Sequence, residues 1–174
     1  LKVKVADNVM GRHGYFPAED EVRAADLNKA FADPEIKAII ALKGGWGAAR
    51  ILPYVDYGLI AKNPKILLGY SDVTSLLNAI HLKTGLMTFH GPIAGGNWNR
   101  FSTDNVRDIL FAGKAQHMIN PQEKGEYLTV RKNRIQSIIS GSAEGRLIGG
   151  NLSVLTGIQG TPYFPNIKGK ILML

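Results

Sequence analysis

Short apolar runs alternate with longer segments in which apolar residues recur at helical spacing, from the start of the chain to about residue 112. Short runs rich in β-branched residues predict buried strands, whereas apolar residues three or four positions apart predict helices. The predicted strands cover residues 1–5, 36–42, 65–70 and 86–90. The predicted helices cover residues 19–32, 48–54, 57–62, 73–83 and 103–111. This alternation predicts an α/β fold, with a parallel, Rossmann-like sheet flanked by helices.

Local signals indicate where several of these helices begin and end. The acidic run Glu19–Glu21 suits the first turn of a helix because its charge complements the helix dipole. Gly85 is expected to end helix 73–83. Ser102 or Thr103 is expected to cap helix 103–111.

The pattern changes near Gly113, where the regular alternation of strands and helices stops. Beyond it we predict short strands separated by turns, at 127–131, 135–139, 145–147 and 170–174. The segment 121–126 combines Pro, Lys, Gly and Glu, a composition typical of a linker. We therefore expect an α/β domain at 1–120 and the start of a smaller, β-rich domain at 121–174.

Composition narrows the classes of function that remain. The 174 residues are 45% hydrophobic and include no cysteine, which excludes a disulfide scaffold, a thiolate metal site and a cysteine nucleophile. The net charge is +7, but the densest basic cluster, Arg131–Arg134, lies in no recognisable nucleic-acid module. No apolar run is long enough to cross a membrane. We expect neither nucleic acid nor membrane as a partner.

The strongest chemical signal is the turn Gly69–Asp72, where a predicted buried strand ends and a helix begins. Such a turn carries a serine side chain to the carboxyl edge of a parallel sheet, where ligands bind in α/β folds. The arrangement is that of a nucleophile elbow, although Val73 stands where its last glycine would be. The alternative is structural, because Ser71 or Asp72 could simply cap the helix.

A glycine-rich turn, Lys43–Gly47, follows the preceding predicted strand and is expected to lie beside Ser71. Glycine allows a close approach of the backbone to a ligand, and free N–H groups can stabilise an oxyanion. The same turn could cradle a small anion such as phosphate, or bind nothing at all.

The four histidines suggest no base or metal site by their spacing. His81 lies ten residues beyond Ser71, about 15 Å along a helix, which is too far to act on it. His13 and His90 lie next to glycines and could reach a cleft, while His117 is expected at the surface. No His and carboxylate spacing is typical of a metal site, so we expect no metal and no cofactor.

Several segments resemble the LD-carboxypeptidases, the serine peptidases that include murein tetrapeptide carboxypeptidase and the microcin C7 self-immunity hydrolase. The resemblance extends over nearly the whole chain, with the motifs in the family's order. The matching segments are Arg12–Tyr15, Ala24–Asn28, Lys43–Pro53, Pro64–Thr74, Thr88–Pro92, Gly149–Ser153 and Gly160–Tyr163.

The resemblance implies a reaction and assigns residues to it. Ser71 would attack the terminal amide bond of a murein-type peptide and release D-alanine. Backbone N–H groups of Gly44, Gly45 and Asp72 would form the oxyanion hole. Trp46, where the family often has Tyr, and Asn151 are the expected substrate-binding residues. The resemblance further implies a cytoplasmic enzyme that forms a homodimer.

The family's Glu and His partners of the serine have no counterpart in this sequence. The Glu follows the strand that here reads Gly169–Leu174, and the His comes later; the family's first strand would precede Leu1. We therefore expect a fragment that is inactive by itself, because a serine without a base is a weak nucleophile. Two alternatives to murein-peptide hydrolysis stay open: hydrolysis of a microcin C7-type peptide-nucleotide, and a non-catalytic α/β module that binds a small anion.

Overall fold

The computed structural model describes residues 2–117, 119 and 136–174. Five α-helices and five strands alternate along these residues. The strands are β1 (Ala38–Ile40), β2 (Ile66–Gly69), β3 (Phe89–His90), β4 (Leu147–Gly149) and β5 (Ile171–Met173). The helices are α1 (Asp20–Ala32), α2 (Tyr57–Lys62), α3 (Thr74–Thr84), α4 (Arg100–Val106) and α5 (Leu152–Gly157). Two 3₁₀ segments, Ala48–Tyr54 and Ser71–Val73, and a π-helical turn, Arg107–Phe111, complete the secondary structure.

The first sheet has the order β1-β2-β3, and its strands are parallel. Ile39 pairs with Leu67, and Gly69 pairs with His90, so the carboxyl ends of β2 and β3 meet at one edge. This arrangement confirms the predicted α/β fold with a parallel sheet flanked by helices. Polypeptide that follows these strand ends is therefore placed where ligands bind in such folds.

Helix α3 is the centre of the core. Every residue from Asp72 to Ile80 is buried, including the predicted apolar face of Leu76, Leu77 and Ile80. Gly85 ends α3 in the left-handed conformation (φ 73°), as predicted. The other core residues come from α1, the 48–55 segment, α2, β2 and the end of α5: Ala24, Phe31, Ala48, Ile51, Leu52, Val55, Ile60, Leu67 and Ile158.

The second sheet consists of β4 and β5, which pair in parallel with Ile148 opposite Leu172. Helix α5 lies between them in sequence, and the prediction of strands and turns alone missed it. Asn151 begins this helix, because its side-chain oxygen accepts a hydrogen bond from the backbone N–H of Val154 at 3.1 Å.

Three other predictions fail in the described residues. Residues 2–5 and 136–139 form no strand, and their apolar side chains are exposed, Ile138 to 97%. Asn99, rather than Ser102 or Thr103, caps α4, since its side chain accepts the backbone N–H of Ser102 at 2.9 Å. The predicted linker 121–126 and strand 127–131 lie outside the described residues. No helix within the described ranges is long and apolar enough to span a membrane.

Candidate active site

Ser71 lies at the sharp turn between β2 and α3. Its φ of 61° makes it the one non-glycine residue with a left-handed backbone among the described residues. Such a conformation costs about 1–3 kcal/mol and is concentrated at functional sites. Gly69 makes the turn possible, because a Cβ atom there would lie 2.8 Å from Cγ1 of Val73. Ser71 therefore lies at a tight junction of strand, turn and helix, where its backbone is held in a left-handed conformation.

The glycine-rich turn lies directly against this serine. A Cβ atom on Gly44 would be 3.0 Å from the Cβ and 3.3 Å from the Oγ of Ser71. Gly45 and Gly47 have φ values of 119° and 104°, which side chains rarely tolerate. Among the described residues, the backbone N–H groups of Gly44, Gly45 and Asp72 donate to no acceptor. Backbone N–H groups without an acceptor can bind an anion.

The Asp72 side chain links the serine turn to the glycine turn. It is buried, with 7% of the residue exposed. Its Oδ2 accepts a hydrogen bond from the backbone N–H of Ala48 at 2.8 Å, and its backbone carbonyl accepts one from the Ser75 hydroxyl at 3.0 Å. A cap of α3 would accept an N–H group of α3 itself. The Asp72 carboxylate instead accepts the N–H group of Ala48, which belongs to a different segment.

An aromatic and ionic cluster packs against Trp46 and Gly47 of the glycine turn. The Phe16 ring stacks on Trp46, with ring centroids 5.7 Å apart, and lies so close to Gly47 that a Cβ atom there would clash with it. Arg23 lies over the Phe16 ring and donates a hydrogen bond to the carbonyl of Gly47 at 2.9 Å. Phe16 and Arg23 were not singled out from the sequence, where neither carries a local signal for this contact.

Trp46, in the glycine turn, and Tyr70, at the serine turn, expose aromatic surface. Trp46 follows Gly45 and is 62% exposed, and Tyr70 precedes Ser71 and is 41% exposed. The imidazole of His90 lies edge-on to Tyr70, with ring centroids 6.3 Å apart. Partial burial lowers the pKa of His90, which favours the neutral form of its imidazole.

Asn151 lies close to α3 across the junction of the two sheets. Its backbone N–H donates to Oγ1 of Thr74 at 3.0 Å, and Asn78 bonds to the carbonyl of Gly149 at 2.8 Å. The side-chain oxygen of Asn151 caps α5. The structure thus brings Asn151 to the helix that Ser71 precedes.

The remaining histidines have structural partners or are exposed. His81 Nδ1 bonds to the carbonyl of Leu86 at 2.9 Å, a structural contact. His13 pairs with Phe16 in a short bridge, and His117 is exposed, as predicted. Within residues 2–117, 119 and 136–174, no group of three or more His and acidic side chains is arranged to hold a metal ion.

Two family models match this chain. The model of the LD-carboxypeptidase N-terminal domain matches residues 1–91, and the model of the C-terminal domain matches residues 144–174. The parallel sheet and its flanking helices define an α/β protein. The chain belongs to the LD-carboxypeptidase family.

Individual relatives match over almost the whole chain. A probable murein peptide carboxypeptidase from Bacillus subtilis is 41% identical, over 100% of this chain and 53% of its own length. A muramoyltetrapeptide carboxypeptidase structure from Oxalobacter formigenes has a TM-score of 0.76 and 30% identity, covering 93% of this chain and 53% of that one. The microcin C7 self-immunity protein MccF in complex with aspartyl sulfamoyl adenosine has a TM-score of 0.73 and 31% identity, covering 94% and 56%. The chain spans about half the length of these relatives.

Proposed function

We propose that this chain supplies the nucleophile side of a serine-type LD-carboxypeptidase that removes the terminal D-alanine from a murein-type tetrapeptide. The observation that carries the proposal is the contact of Ser71, in its left-handed turn, with Gly44. Strain of this kind persists only where the surrounding structure enforces it. Here it raises the serine beside backbone N–H groups that have no acceptor among the described residues.

The proposed reaction begins with attack of Ser71 Oγ on the carbonyl carbon of the terminal amide. A C–O bond forms, the Oγ proton passes to a general base, and the carbonyl oxygen becomes an oxyanion. The N–H groups of Gly44, Gly45 and Asp72 stabilise this oxyanion; losing one such donor typically costs about 3–4 kcal/mol. Collapse breaks the C–N bond, the amine leaves with a proton, and water then hydrolyses the acyl-enzyme.

The identity of the general base rests on the family resemblance. The resemblance assigns the base to a Glu and a His of the C-terminal domain, and the Glu follows the strand that corresponds to β5. Strand β5 pairs with β4, and β4 leads directly into Asn151. A residue that follows β5 would therefore emerge at the same sheet edge as Asn151, which contacts α3.

A second candidate is hydrolysis of a microcin C7-type peptide-nucleotide. The exposed rings of Trp46 and Tyr70 favour it, because a planar base can stack on aromatic surface. The likeness to MccF bound to aspartyl sulfamoyl adenosine supports it as well.

The experiment compares both substrates with the full-length protein that contains this chain. We expect kcat/KM for a murein tetrapeptide to exceed that for a peptide-nucleotide amide by at least about tenfold, with D-alanine as the released amino acid. A reversed ratio would favour the second candidate. Binding of small anions without turnover of either substrate would favour the non-catalytic module.

The proposal includes a cytoplasmic location and a homodimer, both taken from the resemblance. Cell fractionation tests the location, and light scattering on the purified full-length protein tests the dimer. A monomer with full activity would remove the dimer from the proposal without affecting the role of Ser71.

A further inference from the structure

Charged side chains hold both polar groups of the peptide bond between Gly47 and Ala48. Arg23 Nη2 donates a hydrogen bond to the Gly47 carbonyl at 2.9 Å, and Asp72 Oδ2 accepts one from the Ala48 N–H at 2.8 Å. The carbonyl and the N–H belong to the same planar group. Two bonds at its opposite edges therefore fix the rotation of the peptide plane.

The Arg23 side chain is itself held in place. Arg23 forms an ion pair with Asp20 at 2.8 Å, and its side chain is only 15% exposed. Its guanidinium carbon lies 4.7 Å from the centre of the Phe16 ring. Hydrogen bonds that involve an ionised group are stronger than neutral ones, particularly where water is excluded. Arg23 and Asp72 together form a clamp on this peptide, and the Arg23 half of the clamp is rigid.

The position of this clamp connects it to the reacting serine. Asp72 directly follows Ser71, so a carboxylate on the serine turn holds the end of the glycine turn. Gly47 adopts φ 104°, and the rotation of its peptide sets the path of the preceding residues Gly44–Trp46. Gly44 in turn touches Ser71.

We propose that the Asp72 carboxylate and Arg23 are positioning residues for the oxyanion hole. By fixing the peptide between Gly47 and Ala48, they hold the N–H groups of Gly44 and Gly45 at the distance from Ser71 that the transition state requires. This inference rests on the proposed function. The Asp72 side chain acts through the peptide and not on the substrate, whereas its backbone N–H is the group assigned to the oxyanion.

The test uses Asp72→Ala, Asp72→Asn and Arg23→Met in the full-length protein, with kcat and KM measured separately for the tetrapeptide. A displacement of about 1 Å in such a site can cost about 100-fold in rate. We expect Asp72→Ala and Arg23→Met to lower kcat by about 10- to 100-fold and to change KM by less than about threefold. Asp72→Asn keeps an oxygen acceptor for Ala48, so it should restore kcat to within about tenfold of the wild type.

A matched control separates positioning from general stability. Asp56 also accepts a backbone N–H at 2.8 Å, that of Leu59, but it caps α2. Asp56→Ala should lower the melting temperature and leave kcat unchanged. Circular dichroism tests whether each variant is folded. If Asp72→Ala does not fold, Arg23→Met and Asp72→Asn still test the clamp.

A transition-state analogue provides a second readout. A peptide boronate that forms a tetrahedral adduct with Ser71 should lose affinity in parallel with kcat, whereas binding of the tripeptide product should not change. Folded Asp72→Ala and Arg23→Met proteins whose kcat stays within about threefold of the wild type would overturn the inference, as would an equal loss of kcat in Asp56→Ala. A wild-type protein that releases no amino acid would instead overturn the proposed function, and this inference with it.

Discussion

Gly44 and Ser71 are in such close contact that a Cβ atom on the glycine would lie 3.0 Å from the Cβ of the serine. Real Cβ atoms rarely approach other atoms this closely, so either the turn or the serine must shift in Gly44→Ala. We expect kcat for tetrapeptide hydrolysis to fall by about 100-fold, because a donor of the oxyanion hole moves. Steady-state kinetics measures this.

Gly58→Ala is the control for that substitution. Gly58 lies in α2, and a Cβ atom there would lie 3.4 Å from its nearest neighbour, an ordinary contact. Alanine there should leave kcat unchanged and raise the free energy of unfolding by about 0.5–1 kcal/mol. Equal activity in the two variants would mean that the contact between Gly44 and Ser71 is unimportant.

Trp46→Ala should act on substrate binding more than on the chemical step. The side chain is 62% exposed and next to Gly45, so its removal takes away aromatic surface without opening the core. We expect KM to rise about fivefold to tenfold, and Trp46→Phe to recover most of the loss. A large fall in kcat at constant KM would contradict a substrate-binding role.

Asn78 connects α3 to the second sheet, because its Nδ2 donates to the carbonyls of Thr74 and Gly149, both at 2.8 Å. Asn78→Ala leaves the Gly149 carbonyl without this donor, and we expect a loss of about 1–3 kcal/mol in the free energy of unfolding. Asn105→Ala is the control, because Asn105 makes a similar bond to Phe101 on the exposed surface of α4. If chemical denaturation gives equal losses of unfolding free energy for both variants, the bond from Asn78 to the second sheet adds no particular stability.

The Asp20 carboxylate should make the thermal stability of the fold depend on pH in the acidic range. The hydrogen bond from Arg50 is the main cause that lowers the Asp20 pKa, and Arg23 adds to it against the opposing effect of burial. A lowered pKa in the folded state gives stability that is present above the ordinary Asp pKa of about 3.9 and is lost as the pH falls through the lowered value. Melting temperatures of Asp20→Asn should therefore decline less steeply below pH 4 than those of the wild type. Parallel curves would contradict the assignment.

The parallel sheet and most helix positions could be predicted from the sequence, because their signals are local. The apolar face of α3 and the ending at Gly85 follow directly from spacing and backbone freedom. The serine turn could be recognised from Gly69–Asp72 for the same reason. The roles of Gly44 and Trp46 in the reaction remain predictions.

The failures concern features that depend on distant partners. Polar and apolar side chains alternate along residues 2–5, as in a strand. A strand forms, however, only where a neighbouring strand offers backbone hydrogen bonds. Helix α5 has only six residues, too few to show a helical period. The contacts of Asp72 with Ala48 and of Arg23 with Gly47 each span 24 residues, and no local pattern encodes them.

The most direct test of the central claim is the release of D-alanine from a murein tetrapeptide by the full-length protein with and without Ser71→Ala. Ser102→Ala, on α4, is the control for loss of a hydroxyl outside the site. We predict that Ser71→Ala lowers kcat by at least about 10⁴-fold while the tetrapeptide still binds, since removing a nucleophile leaves only binding and the oxyanion hole. A Ser71→Ala protein that keeps a tenth or more of the wild-type rate would contradict the account.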